Sequence, residues 1–362
     1  MKKLLLVVLS VIMIFSITAC NGGTQDNSSP PAPAQDNSSP PAPAQDNSSP
    51  SAPEQENTVP AATEPAAPAA VEITDVHGTV TVPVNPERIV SLDNRTFDTL
   101  YAWGVKLLAV PKGVMPADSP YVLDESVLDV GSLREPNLEV IAAADPELVI
   151  VGQRFAANYE EIKALVPNAV VIDLTFDVSE KADSPAENFV NGFIDTTITL
   201  GMIFEKEAEA AKLIADFEKS IADVKTAYNG EDTITSVIIS GGKIGYSAPG
   251  AGRVWGPMYE IFGWVSSLEV SNTTSDHQGD EISIEAIAQS NPDWFLVLDR
   301  DAGVAGTDSV PAKDVIDNSP ALQNTTAVIE GNIIYAPNNT YTNESIQTYI
   351  KLFGDIAAAF GK

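Results

Sequence analysis

Short apolar runs alternate with short amphipathic segments over most of the chain. Apolar runs bounded by turn residues are typical of strands, and apolar residues at intervals of three and four are typical of helices. In the first half, the predicted strands are 87–92, 107–110, 148–151 and 170–172, and the predicted helices are 97–103, 138–144 and 159–165. Strands that alternate with helices favour a largely parallel sheet, so the pattern predicts an α/β fold.

A long helical region interrupts this alternation. The motif SPAE at 184–187 has the form of a capping box, with a Ser cap, Pro at the first helical position and Glu at the third. Apolar residues then recur at helical spacing to about Tyr228, so one face of this region is expected to pack on a core. After Gly230 the α/β pattern resumes. The predicted strands of the second half are 236–240, 295–298 and 333–336, and its predicted helices are 254–262, 284–288 and 344–360.

The two halves share one internal pattern. A Glu near the start of a short helix, a Pro break and an apolar strand occur in NLEVIAAADPELVI at 137–150 and again in SIEAIAQSNPDWFL at 283–296. We therefore expect two Rossmann-like lobes with parallel-rich sheets and a cleft between them. The N-terminal lobe is predicted at 71–183 and the C-terminal lobe at 205–362, joined by one long backbone helix at 184–204.

The first nineteen residues have the layout of a secretory signal peptide. Lys2 and Lys3 precede an apolar stretch, 4–18, that is too short for a convincing membrane-spanning helix. The segment ends in Ala19 and Cys20, which resembles a bacterial lipobox and predicts lipidation of Cys20 after cleavage before it. An ordinary signal peptide followed by a chance cysteine is the alternative. Cys20 is the chain's only cysteine, so an internal disulfide is excluded.

Residues 20–70 read as a tether. The decapeptide QDNSSPPAPA occurs at 25–34 and 35–44 and is nearly repeated at 45–54. Such Pro-, Ala- and Ser-rich sequence cannot bury enough apolar surface to fold, so we expect it to be disordered or polyproline-like. Together with Cys20, it predicts a globular head that is lipid-anchored to the cell membrane and faces outside.

The head is strongly acidic. The formal net charge of the chain is −30, which argues against nucleic acid and against a polybasic membrane patch. Arginine is scarce in this background, so any cluster of arginines is informative. The arginines are Arg88, Arg95, Arg134, Arg154, Arg253 and Arg300.

Three segments resemble the helical-backbone class (class III) of substrate-binding proteins that serve ABC importers of iron–siderophores, haem and cobalamin. They are PERIV at 86–90, VGSLREPNLE at 130–139 and NPDWF at 291–295. The likeness covers about 71–362 and points to members that bind catecholate siderophores such as enterobactin fragments and petrobactin. It implies a monomeric, non-enzymatic protein that delivers its ligand to the permease and ATPase subunits of an importer. No intrinsic cofactor is implied, since Fe(III) arrives as the siderophore complex.

The resemblance implies a set of cleft arginines. Arg154 follows the strand after the NLE helix, Arg253 lies in a Gly-Arg turn that opens a helix, and Arg300 ends the strand after the second Pro-Asp. Val254 replaces the usual Phe of that turn. A ferric tris-catecholate is a trianion, and guanidinium donors suit such oxygen-rich anions. For Arg300, a local ion pair with the neighbouring aspartates is the alternative.

Two further residues are candidates for the iron itself. The family uses a His between the second and third arginines, where His277 fits, and a Tyr after the last strand, where Tyr341 fits although 336–344 departs from the usual aromatic- and Gly-rich stretch. Iron(III) favours oxygen and also accepts imidazole. With a tetradentate siderophore the two side chains would complete the coordination, and with a hexadentate one they would line the pocket. An ordinary loop position is the alternative for His277.

Other positions are predicted around the cleft and on its outer surface. Arg95 is placed at the rim, and Tyr246 and Trp255 are candidates for lining the pocket, with a core position as their alternative. Glu139 and Glu285 occupy equivalent places in the two halves. In the family one such Glu per lobe pairs with arginines of the permease, which predicts docking. A solvated helix face or a cap interaction is the alternative.

Other functions find less support in the chain. It contains no HExxH, GxSxG or GxGxxG motif, and two histidines with one cysteine leave little room for a nucleophilic triad or a zinc catalyst. The many acidic residues leave a catalytic carboxylate pair open. Haem or cobalamin in the same cleft is the alternative ligand. Haem would require an axial Met, Tyr or His, and cobalamin an aromatic, less charged cleft.

Overall fold

The computed structural model describes residues 69–133, 136–304 and 309–362. All described residues belong to one compact unit. The predicted signal peptide, Cys20 and nearly all of the tether lie outside the described residues. None of the helices in the described ranges is long and apolar enough to cross a membrane.

A hairpin precedes the N-terminal lobe, formed by β1 (Ala70–Asp75) and β2 (Gly78–Pro83). The sheet of this lobe contains β3 (Ile89–Ser91), β4 (Ala109–Val110), β5 (Leu128–Asp129), β6 (Leu148–Val151) and β7 (Val170–Asp173). The strand order is β5-β4-β3-β6-β7 and every pairing is parallel. All four residues of β6 are buried, as its unbroken apolar sequence requires in a sheet covered on both faces. The helices are α1 (Phe97–Ala102), α2 (Pro120–Leu123), α3 (Leu138–Ala143) and α4 (Tyr159–Leu165).

Two long helices follow, α5 (Pro185–Ile203) and α6 (Glu207–Ala227). The prediction of one helical region to Tyr228 missed the break between them, where Glu205 has a left-handed backbone with φ of 51°. The predicted capping box is wrong in its hydrogen bond, because the Ser184 side chain accepts none from the helix. Pro185 does open α5, where its missing N–H costs nothing.

The C-terminal lobe repeats the architecture of the first. Its sheet contains β8 (Thr233–Ser240), β9 (Lys243–Tyr246), β10 (Val265–Ser266), β11 (Trp294–Asp299) and β12 (Ile333–Tyr335). Strands β10-β8-β11-β12 are parallel, and β9 pairs antiparallel with β8. The helices are α7 (Gly256–Phe262), α8 (Ile284–Ser290), α9 (Arg300–Val304), α10 (Ala312–Asp317), α11 (Thr326–Glu330) and α12 (Ile346–Phe360). The predicted α/β architecture of two lobes joined by a long helix is confirmed.

Aromatic packing fixes the C-terminal helix against the long helices. Phe193 of α5, Phe217 of α6 and Phe353 of α12 are fully buried, and the Phe189 and Tyr349 rings lie 4.7 Å apart. Each such side chain contributes about 1.5–3 kcal/mol by burial. This core holds the start of α12, and therefore the segment just before it, in one position.

Candidate ligand-binding cleft

Loops at the carboxyl ends of the parallel strands meet around one pocket. Residues 113–118 after β4 and Arg154 after β6 line it from the N-terminal lobe, and 302–304 after β11 and 338–342 after β12 line it from the C-terminal lobe. In open α/β sheets this edge is where ligands bind. The volume of about 620 Å³ lies within the range of small-molecule sites, about 300–1,000 Å³.

Three arginines surround Tyr341, one of the residues that line this pocket. The guanidinium carbons of Arg154, Arg253 and Arg300 lie 5.9, 5.1 and 5.2 Å from the ring centre of Tyr341. Arg154 belongs to the N-terminal lobe and the other two to the C-terminal lobe, and Arg154 Nη2 also donates to the Tyr341 carbonyl at 3.0 Å. The structure thus brings together the three arginines and the tyrosine that the sequence singled out.

His277 joins the same group from an exposed loop. Its Nδ1 lies 2.6 Å from the Tyr341 hydroxyl. Desolvation of the ring, followed by the charges of Arg253 and Arg154, lowers the pKa of His277. The imidazole is therefore neutral at physiological pH and has a nitrogen lone pair to offer.

Arg300 is free to face a ligand because its acidic neighbours are engaged elsewhere. The Asp301 carboxylate accepts from the backbone amides of Gly241 and Gly242, at 2.8 and 3.0 Å. Asp299 similarly accepts from two backbone amides, at 2.8 and 2.9 Å. Within the described ranges no carboxylate pairs with Arg300, whose Nη1 donates to Ser240 Oγ at 3.1 Å. The alternative of a local ion pair is excluded for the described residues.

A buried carboxylate that the sequence did not single out lies among the arginines. The Glu344 side chain is 7% exposed; its Oε1 accepts from Arg253 Nη2 at 2.5 Å and lies 4.0 Å from Arg154 Nη2. Its Oε2 lies 4.0 Å from Arg95 Nε. Burial alone would raise the pKa of Glu344, but Arg253, Arg154 and Arg95 together hold it below its ordinary value. No sequence signal distinguished this one acid among fifty.

Arg95 was predicted at the rim of the cleft, and this prediction is wrong. The residue lies buried beneath the site. The residue is 5% exposed, and its guanidinium carbon lies 3.7 Å from the ring centre of Phe176, whose carbonyl accepts from Nη1 at 3.2 Å. Together with Gln153, Arg253 and Glu344 it borders a small cavity of about 60 Å³. Arg95 therefore contributes charge from the floor of the cleft.

Trp255 and Tyr246 do not line the pocket. Both are fully buried in the core of the C-terminal lobe, and the Tyr246 hydroxyl donates to the Leu268 carbonyl at 2.6 Å. Trp255, Met258 and Phe262 recur at helical spacing, which is typical of a core face and was the available signal for Trp255. The core position weighed as their alternative is the one the structure shows.

Glu139 and Glu285 are exposed in the first turns of α3 and α8, at equivalent places in the two lobes. His77 lies at the turn of β1 and β2. Its Nε2 is 3.3 Å from the buried Asp173, and its ring stacks on Tyr159 at 3.7 Å. This contact docks the hairpin on the N-terminal lobe.

Gly252 gives the turn before Arg253 its shape. A Cβ at Gly252 would lie 2.3 Å from Ser247 Oγ and 2.6 Å from backbone atoms of Ala248. Gly252→Ala is therefore expected to lower the free energy of unfolding by about 1–3 kcal/mol and to displace Arg253. Urea unfolding and ligand titration would measure both effects. The control is Gly354→Ala, on the exposed face of α12 with nothing within 4 Å, which should stabilise by up to about 1 kcal/mol. Equal stability of the two variants would contradict the steric argument.

Asp93 gives the site a pH-dependent stability. It is buried beside Arg95, and burial, opposed by the Arg95 charge, raises its pKa from 3.8 to about 6. The native state holds this proton between those values when the unfolded chain has lost it, so stability falls as pH rises through this window. Asp93→Asn is expected to remove that loss, worth about 1–3 kcal/mol at about pH 7. Urea unfolding on both sides of the window measures it, with the exposed Asp195→Asn as control. A stability profile with the same slope in Asp93→Asn would contradict the assignment.

Comparison with known proteins identifies the family of the chain. Residues 89–340 match the profile of the family described as periplasmic binding protein. The chain belongs to this family. The relatives found are binding proteins.

Three relatives show the range of this part of the family. The petrobactin-binding protein YclQ of Bacillus subtilis is 33% identical over 74% of this chain and 79% of its own. The ferric-anguibactin-binding protein FatB of Vibrio anguillarum is 27% identical over 78% and 85%. A cobalamin-binding protein of Halobacterium salinarum is 24% identical over 78% and 71%. The crystal structure of YclQ matches with a TM-score of 0.68 and 25% identity, covering 81% of this periplasmic binding protein and 99% of YclQ.

Proposed function

We propose that this periplasmic binding protein captures a ferric siderophore of the catecholate class in the cleft and delivers it to an ABC importer. The observation that carries the proposal is the convergence of Arg154, Arg253 and Arg300 from both lobes on Tyr341. Two relatives are a petrobactin-binding and a ferric-anguibactin-binding protein, which supports an iron chelate as the ligand class.

The charge of the site supports an anionic complex. The chain as a whole carries −30, so its surface repels a trianion, whereas the cleft presents several guanidinium groups in a desolvated setting. Charge-assisted hydrogen bonds from guanidinium to catecholate oxygens are about twice as strong as neutral ones. Local positive potential inside an acidic molecule therefore selects for the anion that fits the cleft.

The test is a titration of the mature protein with a panel of complexes. Intrinsic fluorescence would be followed during addition of a ferric tris-catecholate, a ferric bis-catecholate, haem and cobalamin. We expect saturable quenching with the ferric catecholates and none at comparable concentration with the other two. Tight binding of haem or cobalamin without binding of either catecholate would overturn the proposal.

His277 and Tyr341 are proposed to bind iron directly when the siderophore is tetradentate. Their 2.6 Å contact brings the imidazole next to the hydroxyl of Tyr341, which lines the pocket. Tyr341→Phe is expected to weaken binding of a ferric bis-catecholate on the order of tenfold or more, and to remove a phenolate-to-iron absorption band. With a hexadentate tris-catecholate the same variant should change affinity little.

The matched control for that experiment is Tyr335→Phe, which removes a hydroxyl from the end of β12. It should leave both affinities and the visible spectrum unchanged. If Tyr341→Phe weakened the two complexes equally and altered no absorption band, the residue would line the pocket without touching iron.

The remaining proposals concern partners and location. Glu139 and Glu285 are proposed to dock on cationic residues of the permease, since each is exposed at the equivalent place of its lobe. The protein is proposed to act as a monomer that supplies a permease with its ATPase subunits. Lipidated Cys20 would hold it on the outer face of the cell membrane through the tether.

A further inference from the structure

The cleft contains a buried acidic side chain, Glu344, although its proposed ligand is an anion. Glu344 brings a negative charge into direct contact with Arg253, and within 4.0 Å of Arg154 and Arg95. A carboxylate in this position opposes the binding of any anionic ligand. Burial of an ionised acid is costly unless it is paired, and here the pairing is with residues of both lobes.

Glu344 is held in place by its neighbours in the chain. Asn94 Nδ2 donates to the Thr342 carbonyl at 2.5 Å, and the Asp98 carboxylate accepts from Asn343 Nδ2 at 2.8 Å and from Ser345 Oγ at 2.7 Å. These hydrogen bonds tie the residues on both sides of Glu344 to the N-terminal lobe. We therefore expect the carboxylate to lie beside the arginines in the closed, loaded cleft, where its charge acts on the ligand.

Building on the proposed function, we propose that Glu344 sets the charge class of the complexes that the cleft accepts. Its carboxylate cancels part of the charge of Arg95, Arg154, Arg253 and Arg300. This reduces the preference for a more highly charged complex over a less charged one of the same shape. Glu344 acts through the electrostatic potential at the ligand, and the arginines keep the direct contacts.

Two complexes of one hexadentate tris-catecholate provide the probe. Gallium(III) gives a trianion and titanium(IV) a dianion, both octahedral and of nearly the same size. Affinities for the two would be measured by calorimetry, and their ratio is the readout. Glu344→Gln is expected to raise the ratio of gallium to titanium affinity about tenfold, because the extra unit of site charge acts on one additional unit of ligand charge.

A residue that merely clamps the arginines would give a different result. Loss of a clamp would weaken both complexes by the same factor and leave the ratio unchanged, and that outcome overturns the inference. The comparison of charged with neutral side chain is repeated with two shorter variants of equal size, Glu344→Asp and Glu344→Asn. Only the Asn variant should shift the ratio of gallium to titanium affinity. This pair also keeps the test decisive if Glu344→Gln fails to fold.

Controls separate this inference from the proposed function. Glu160→Gln removes an exposed acid on α4 and should leave the ratio at the wild-type value. If the wild-type protein bound neither complex, the proposed function would fail. If it bound both and Glu344→Gln left their ratio unchanged, the role of Glu344 alone would fail.

Discussion

Arg300→Ala is expected to weaken binding of a ferric tris-catecholate by about 2–5 kcal/mol, on the order of 30-fold to several thousand-fold. The guanidinium lies 5.2 Å from the Tyr341 ring centre, and its hydrogen bond within the described ranges goes to the neutral Ser240. The ligand would therefore lose a charge partner that no other side chain replaces. The free energy of unfolding should change little, because no buried acid is left unpaired.

The matched control for this prediction is Arg88→Ala. The Arg88 side chain is 47% exposed and pairs with Glu147 at 3.3 Å, just before the amino end of β3 and therefore at the sheet edge opposite the cleft. Calorimetric titration should give wild-type affinity for this variant. Arg154→Ala and Arg253→Ala should both weaken binding, and Arg253→Ala should also destabilise the fold by leaving Glu344 short of its closest partner. Unchanged affinity in all three cleft variants would reject the site.

Combined replacement of Glu139 and Glu285 by alanine is expected to abolish import while ligand binding stays intact. The two carboxylates are exposed and lie away from the pocket lining, so their loss leaves the cleft unchanged. Removing both halves of a two-point electrostatic contact should reduce uptake on the order of tenfold or more. Uptake of radiolabelled iron by cells that carry the variant as their sole copy measures the effect, alongside titration of the purified protein.

A double variant of equal charge provides the control for import. Glu160→Ala with Glu330→Ala removes two exposed acids, one per lobe, from other helices. Cells with this variant should import iron at the wild-type rate. Wild-type uptake by the Glu139 and Glu285 variant would refute docking, and loss of ligand binding in it would mean that these residues are structural.

The sequence predicted best those elements whose own hydrophobic pattern defines them. The unbroken apolar run of β6 and the spacing of α4 gave bounds that agree with the structure residue for residue. Strands of two residues, such as β5 and β10, were missed because pairing with a neighbouring strand, and not their own pattern, defines them. The break after α5 was missed since a non-glycine residue, Glu205, adopts the left-handed conformation there.

The residues of the candidate site also divide into those that could be predicted from the sequence and those that could not. The resemblance supplied Arg154, Arg253, Arg300, His277 and Tyr341, and the structure places the first four around the ring of Tyr341. The resemblance could not supply Glu344, because only the folded chain brings arginines from other segments next to this acid. Trp255 and Tyr246 were misplaced since an aromatic side chain beside a cleft and one in a core have the same composition and spacing.

The hydrogen bonds that join Asn94 and Asp98 to residues 342–345 affect how a bound ligand is released. Parting the lobes at this seam must break all three bonds and separate the buried Glu344 carboxylate from Arg95 and Arg154. We therefore expect a bound ligand to leave slowly when nothing forces the lobes apart. A transporter that grips both lobes and forces the seam apart would discharge the iron only at the membrane, where it can be taken in.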